Sequence, residues 1–144
     1  MARLVDEQVS LNSSVLGELD IPITKTPELF GTLGLDTSNT GPTLRVEFDY
    51  TLEFSYVKTS SFLISIYRGV GDDAVLVFQT QHSGVAGDDH KCAIRNVASA
   101  SGVDYLPPNP GFLIYQAFVS TTNTRSSKLK RIGPESFAAR AYSD

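Results

Sequence analysis

Between Leu44 and Tyr56 apolar and polar residues alternate almost without a break. Val46, Phe48, Tyr50, Leu52, Phe54 and Tyr56 share one parity; Glu47, Asp49, Thr51, Glu53 and Ser55 share the other. Strand side chains point alternately to two faces, so this segment has a packed, aromatic face and a wet, acidic one. Coiled as a helix, the same apolar groups would be scattered around its circumference. Fully burying them is worth about 9–18 kcal/mol gross, at about 1.5–3 kcal/mol per side chain. Such a strand needs a second sheet to cover it.

The rest of the chain repeats this theme more weakly, with Gly, Pro, Asn and Ser between the runs. Val9, Leu11 and Val15 alternate within an otherwise polar segment, 1–17. Residues 18–23 read as a strand, and Pro22, which lacks a backbone donor, places it at an edge or a strand end. Residues 28–35 read as another, closed by the turn-rich 36–42. A hairpin spans 61–81, turning at Gly69–Asp73. His90 to Ala98 reads as a weaker strand, with Cys92, Ile94 and Asn96 on one side. Ser99 to Pro110, with Pro107, Pro108 and Pro110, reads as an irregular crossing loop. Residues 111–122 are apolar on both parities, which predicts burial on both sides, either centrally in a sheet or under a neighbouring chain. Residues 128–132 and 135–142 close the chain. Helical periodicity is nearly absent. The fold expected is all-β, a jelly-roll-like sandwich of eight or nine antiparallel strands over 18–144, preceded by the segment 1–17.

A chain of 144 residues fits one domain and buries roughly 68–70% of its unfolded surface. The net charge of -4 argues against a nucleic-acid partner. The nearest approach to a basic cluster, Arg125, Lys128, Lys130 and Arg131, reads as a solvated strand face. A single cysteine, Cys92, excludes an internal disulfide; a half-buried free thiol is expected, and synthesis in a reducing compartment. The start, Met1-Ala-Arg-Leu-Val-Asp-Glu7, is acidic where a signal peptide needs an apolar stretch. No window approaches a membrane-spanning length of apolar residues. These features lead us to expect cytoplasmic synthesis without a signal peptide and no membrane insertion.

Candidate chemistry is sparse. Both histidines and the cysteine lie between His82 and Cys92, and a zinc site wants three or four such ligands. His90 and Cys92 have strand spacing and could face one ion, with His82 as a third ligand. Solvated loop residues are the simpler reading, so no metal and no cofactor are expected. Asp72, Asp73, Asp88 and Asp89 lack the spacing of a calcium loop and fit turns. Glu47 and Asp49 sit about 7 Å apart along a strand, within the range of glycosidase acids, and Glu53 follows on the same face, but that face is a solvated one. No G-x-S-x-G elbow is present, and Gly31-x-x-Gly34 is not followed by a helix. The expectation is that the protein is not an enzyme.

What remains is assembly. The segment 1–17 can be an ordinary first strand, or it can add to the sheet of a neighbouring copy through Val9, Leu11 and Val15. Open sandwiches expose backbone donors and acceptors at their edges, and a second chain satisfies them. A head-to-tail contact of that kind does not close and produces a fibre or lattice. Two other readings stand beside it. One is a carbohydrate- or ligand-binding module using loop groups such as Asp72, Asp73, Asp88, Asp89 and Tyr105. The other is a viral or phage structural protein on the same architecture.

The segments G-T-L-G-L-D-T-S-N at 31–39, L-R-V-E-F at 44–48, F-L-I-S-I-Y-R at 62–68 and G-P-E-S-F-A-A-R-A-Y at 133–142 carry a resemblance. In their order they resemble the small β-sandwich proteins of Gram-positive endospore coats and exosporia, including the jelly-roll subunits of endospore appendages. The resemblance implies a fibre subunit with an N-terminal connector, a homopolymer of itself at a spore or cell surface. Those appendage subunits cross-link through cysteines near the N-terminus, and here no cysteine precedes Cys92. The connector implied is therefore noncovalent.

Overall fold

A computed structural model describes residues 2–87, 92–122 and 128–144. Nine strands follow one another: β1 (Arg3–Ser13), β2 (Ile21–Pro22), β3 (Glu28–Asp36), β4 (Leu44–Tyr56), β5 (Ser60–Arg68), β6 (Val75–Gly84), β7 (Ile94–Tyr105), β8 (Phe112–Ser120) and β9 (Lys130–Ser143). Sheet A has the order β1-β9-β4-β7, with β2 also on β9; sheet B has the order β3-β8-β5-β6. All pairings are antiparallel. The two sheets face each other as a jelly-roll β-sandwich.

The core follows from the parity of β4. Val46, Phe48, Tyr50, Leu52, Phe54 and Tyr56 are each at most 2% exposed. They meet Phe62, Ile64 and Ile66 of β5 and Leu113, Tyr115, Ala117 and Val119 of β8. Phe54 and Phe62 cross edge to face, 4.7 Å between ring centres, and Phe48 does the same with Phe78 of β6 at 5.5 Å. Pro22 lies in a two-residue edge strand, as its missing donor requires.

Several expectations need correction. The loop expected from Ser99 is strand as far as Tyr105, so β7 has an unbroken register on β4. Ser99, Ala100, Ser101 and Gly102 are weak strand formers, but β4 supplies partners for all four. A Cβ on Gly102 would lie 2.6 Å from the rings of Phe48 and Phe78, so the glycine makes room for that aromatic pair. β8 is central but buried on one face only; Phe112 is exposed, and Ile114 and Phe118 are half-buried on the outer side. The two closing segments form a single strand, β9, with a register break against β4 between Arg131 and Glu135. Arg131 is not part of a solvated face: it is 3% exposed. Its guanidinium donates to Glu135, and to Glu28 at 3.2 Å. Arg125 lies outside the described residues.

Candidate functional site

Each sheet has two edges, and they are finished differently. On one side of the sandwich β1 of sheet A lies against β3 of sheet B. The Asp36 N–H donates to Asp6 Oδ2 at 2.8 Å, and the Thr32 N–H donates to Ser10 Oγ at 3.2 Å. Side chains of β1 therefore cap the outward amides of β3. Strand β1 itself is broken by register shifts between Leu4 and Asp6 and between Leu11 and Ser13, and it carries Arg3, Asp6 and Glu7. Below it, Asn12 donates to the buried Glu135 at 2.7 Å, tying the strand to the Arg131 ion pair.

The opposite edge of sheet A is β7. Its pairing with β4 runs from Ile94 to Tyr105 with no register shift, whereas β1 has two and β3 and β6 have one each. No charged residue stands between Asn96 and Val103. Inward bonds hold the strand at both ends. Asn96 donates to the Tyr56 hydroxyl at 2.9 Å. Asp104, 8% exposed, accepts from Arg68 at 2.6 Å and from the Tyr115 hydroxyl at 2.8 Å. Burial raises the Tyr115 phenol above its ordinary pKa, and the bond to Asp104 adds to the shift. Outward, Val97, Val103 and Tyr105 are half or more exposed.

The outer faces differ too. On sheet A, Arg140 donates to Asp49 at 2.6 Å and Arg45 to Glu47 at 3.3 Å. Arg45 also lies over the Tyr142 ring, 4.8 Å from its centre. These pairs tie up two of the three carboxylates considered for acid–base work; Glu53 Oε2 is buried with no partner among the described residues. On sheet B, β5 and β8 show only uncharged residues outward: Ser61, Leu63, Ser65, Tyr67, Ile114, Gln116 and Phe118.

Of the assembly residues, Val9 and Leu11 lie on the outer side of β1, 61% and 64% exposed, and Val15 follows in the next turn at 55%. Segment 1–17 is thus, from Arg3 to Ser13, an edge strand on its own chain's β9. The metal candidates are not brought together by what is described. Cys92 is exposed rather than half-buried, because β7 begins only at Ile94. His82 is on β6, not in a loop, with Nε2 2.5 Å from the Tyr50 hydroxyl and its ring stacked on Phe62 at 5.6 Å. Burial lowers its pKa from 6.5, and a neutral imidazole offers the acceptor that a tyrosine hydroxyl needs. His90, Asp88 and Asp89 lie outside the described residues; among those described, no group of three or more metal-binding side chains occurs. No described helix is long and apolar enough to cross a membrane.

Sequence reasoning missed the flat edge of β7 and the aromatic pair Tyr67 and Phe118 on the outer face of sheet B. The signals were a charge-free run from Asn96 to Val103, and two aromatic residues out of phase with their strands' buried parity.

No protein-family model matches the sequence, and no curated protein matches it. In fold the chain is similar to the crystal structure of murine APRIL at pH 5.0, with 15% identity and a TM-score of 0.44 over 94% of this chain and 98% of that one. It is also similar to the Eiger TNF of S. frugiperda, with 17% identity and a TM-score of 0.39 over 80% of this chain and 67% of that one. The chain's own strand order and pairing are those of a jelly-roll β-sandwich module.

Proposed function

We propose that the protein is a structural subunit that joins copies of itself head to tail along sheet A, building a fibre or coat at a spore or cell surface. The observation that carries this reading is strand β7, a twelve-residue edge with an unbroken register and no charge along its middle. Natural sheets blunt their edges with bulges, charges, proline or a covering element, and β7 has no register shift on β4, no proline, and no charge from Asn96 to Val103. Strand directions alternate through β1, β9, β4 and β7, so a second copy placed by simple translation brings its β1 antiparallel to this β7. The neighbour's strand keeps its own β9 partner, and no exchange of segments is required. Val9 and Leu11 of that copy then lie on the same face as Val97 and Val103. A translational contact of this kind does not close, which gives a fibre. The likeness of 31–39 and 133–142 to endospore surface subunits supports the setting. In this reading the protein works by binding itself, without catalysis or cofactor.

The test uses two variants in a Cys92→Ser background, Val9→Cys and Ser101→Cys, which share one row of the sheet through Ala138 and Asp49, mixed under mild oxidation. Adjacent antiparallel strands hold facing Cα atoms about 4.5–5.5 Å apart, within reach of a disulfide. The mixed disulfide should dominate over either homodimer. Only homodimers, or no cross-link at all, would contradict the arrangement.

A further inference from the structure

The outer face of sheet B holds a groove of about 330 Å³. It is lined by Pro27, Tyr67, Gly71, Ala74, Gln116 and Phe118. Its floor is built by register: Tyr67 on β5 pairs with Gln116 on β8, and Phe118 lies two residues along. The Tyr67 and Phe118 rings meet at 87° with centres 5.7 Å apart. One wall is the turn between β5 and β6, a single 3-10 turn at Gly71–Asp73, where Gly71 adopts a φ of +70°. None of the six lining residues is charged. Among the described residues, neither the Gln116 amide nor the Tyr67 hydroxyl has a side-chain hydrogen-bond partner.

We propose that this groove binds a short neutral saccharide. The volume is at the small end of the range for ligand pockets, about 300–1,000 Å³. Aromatic faces carry negative charge density, and the C–H groups on one side of a pyranose ring are the positive partners that fit them. The Gln116 amide offers donors and an acceptor, and the Tyr67 hydroxyl offers both, which is what sugar hydroxyls require. A charged ligand finds no counter-ion in the lining. An apolar side chain would bury the amide and the hydroxyl without partners. The neutral polar surface also continues past the groove, where Gln79 donates to Ser65 Oγ at 2.9 Å, so a longer chain of sugars has room to run along β5 and β6. This site is independent of the β7 edge, on the opposite face of the sandwich.

The probes are cellohexaose, mannohexaose and chitohexaose, titrated into the full chain and followed by amide chemical shifts and calorimetry. At least one should bind, with the largest shifts at Tyr67, Gln116 and Phe118. Gln116→Leu, which keeps the side chain's size, should weaken that binding by about tenfold or more. Tyr67→Ala should remove it; should that variant fail to fold, Gln116→Leu alone decides. Absence of binding to all three at about 10 mM, or binding that survives Gln116→Leu unchanged, would overturn the proposal. So would an anilinonaphthalene sulfonate signal that Tyr67→Ala abolishes and no saccharide displaces, because it assigns the groove to an apolar occupant.

Discussion

Strands β1 and β7 are the two edges of one sheet, and they solve the problem of an unpaired edge in opposite ways. On β1 the chain spends polar chemistry: two register shifts, three charged side chains and two side-chain bonds that cap the amides of β3. On β7 it spends inward packing: Asn96 and Asp104 anchor the ends, Gly102 seats an aromatic pair, and the outward edge stays flat and neutral. The contrast teaches that an edge can be anchored on its inner side and still, among the described residues, carry neither a bulge nor a central charge to turn a second strand away. An edge anchored in this way is a template, since the strand it would accept meets a geometry already set.

The largest effect expected on this comparison comes from the β1 side. Glu135→Ala leaves the buried Arg131 with only Glu28, and should cost about 3 kcal/mol or more in urea unfolding. A loss under about 1 kcal/mol would mean that Glu135 is not what fixes that edge.

A smaller loss should follow from the seam. Asp6→Ala and Ser10→Ala each remove an acceptor for a β3 amide, at about 1 kcal/mol each. Amide exchange at Asp36 and Thr32 should speed up while β7 amides stay unchanged. Acceleration spread evenly over both edges would erase the distinction drawn between them.

Acid should weaken the other side. Burial holds the His82 pKa below 6.5, so the unfolded chain takes up the proton first. The stability this imidazole contributes is complete above about pH 7, declines as pH falls through the ordinary histidine range, and levels off below its folded-state value. Urea midpoints measured between pH 7 and pH 5 should fall less for His82→Phe than for the wild type. Equal slopes would remove His82 from the account.

How much of this was legible in the chain depended on contrast between parities. β4 was plain because its two faces differ so strongly, and the core residues follow from it. β7 beyond Ala98 was hidden because Ser99, Ala100, Ser101 and Gly102 have little strand preference of their own; the strand exists because β4 offers partners across the sheet. Arg131 was misjudged because it was grouped with Lys128 and Lys130, whereas it shares the inward parity of Glu135, Phe137 and Ala139 along β9. The groove at Tyr67 was missed because attention to the buried parity of Phe62, Ile64 and Ile66 leaves its out-of-phase neighbour looking like surface. Both candidate sites sit where a strand departs from its own simplest pattern.

Sedimentation velocity over a wide concentration range tests the central claim most directly, comparing the wild type with Ser99→Lys/Ser101→Lys. Both positions are exposed on β7, so the double variant should keep its stability within about 0.5 kcal/mol. The wild type should form a concentration-dependent ladder of species and the lysine variant should stay monomeric. A wild type that sediments as a single monomer up to about 1 mM, or a lysine variant that associates equally well, would contradict an account in which β7 receives a second copy of the chain.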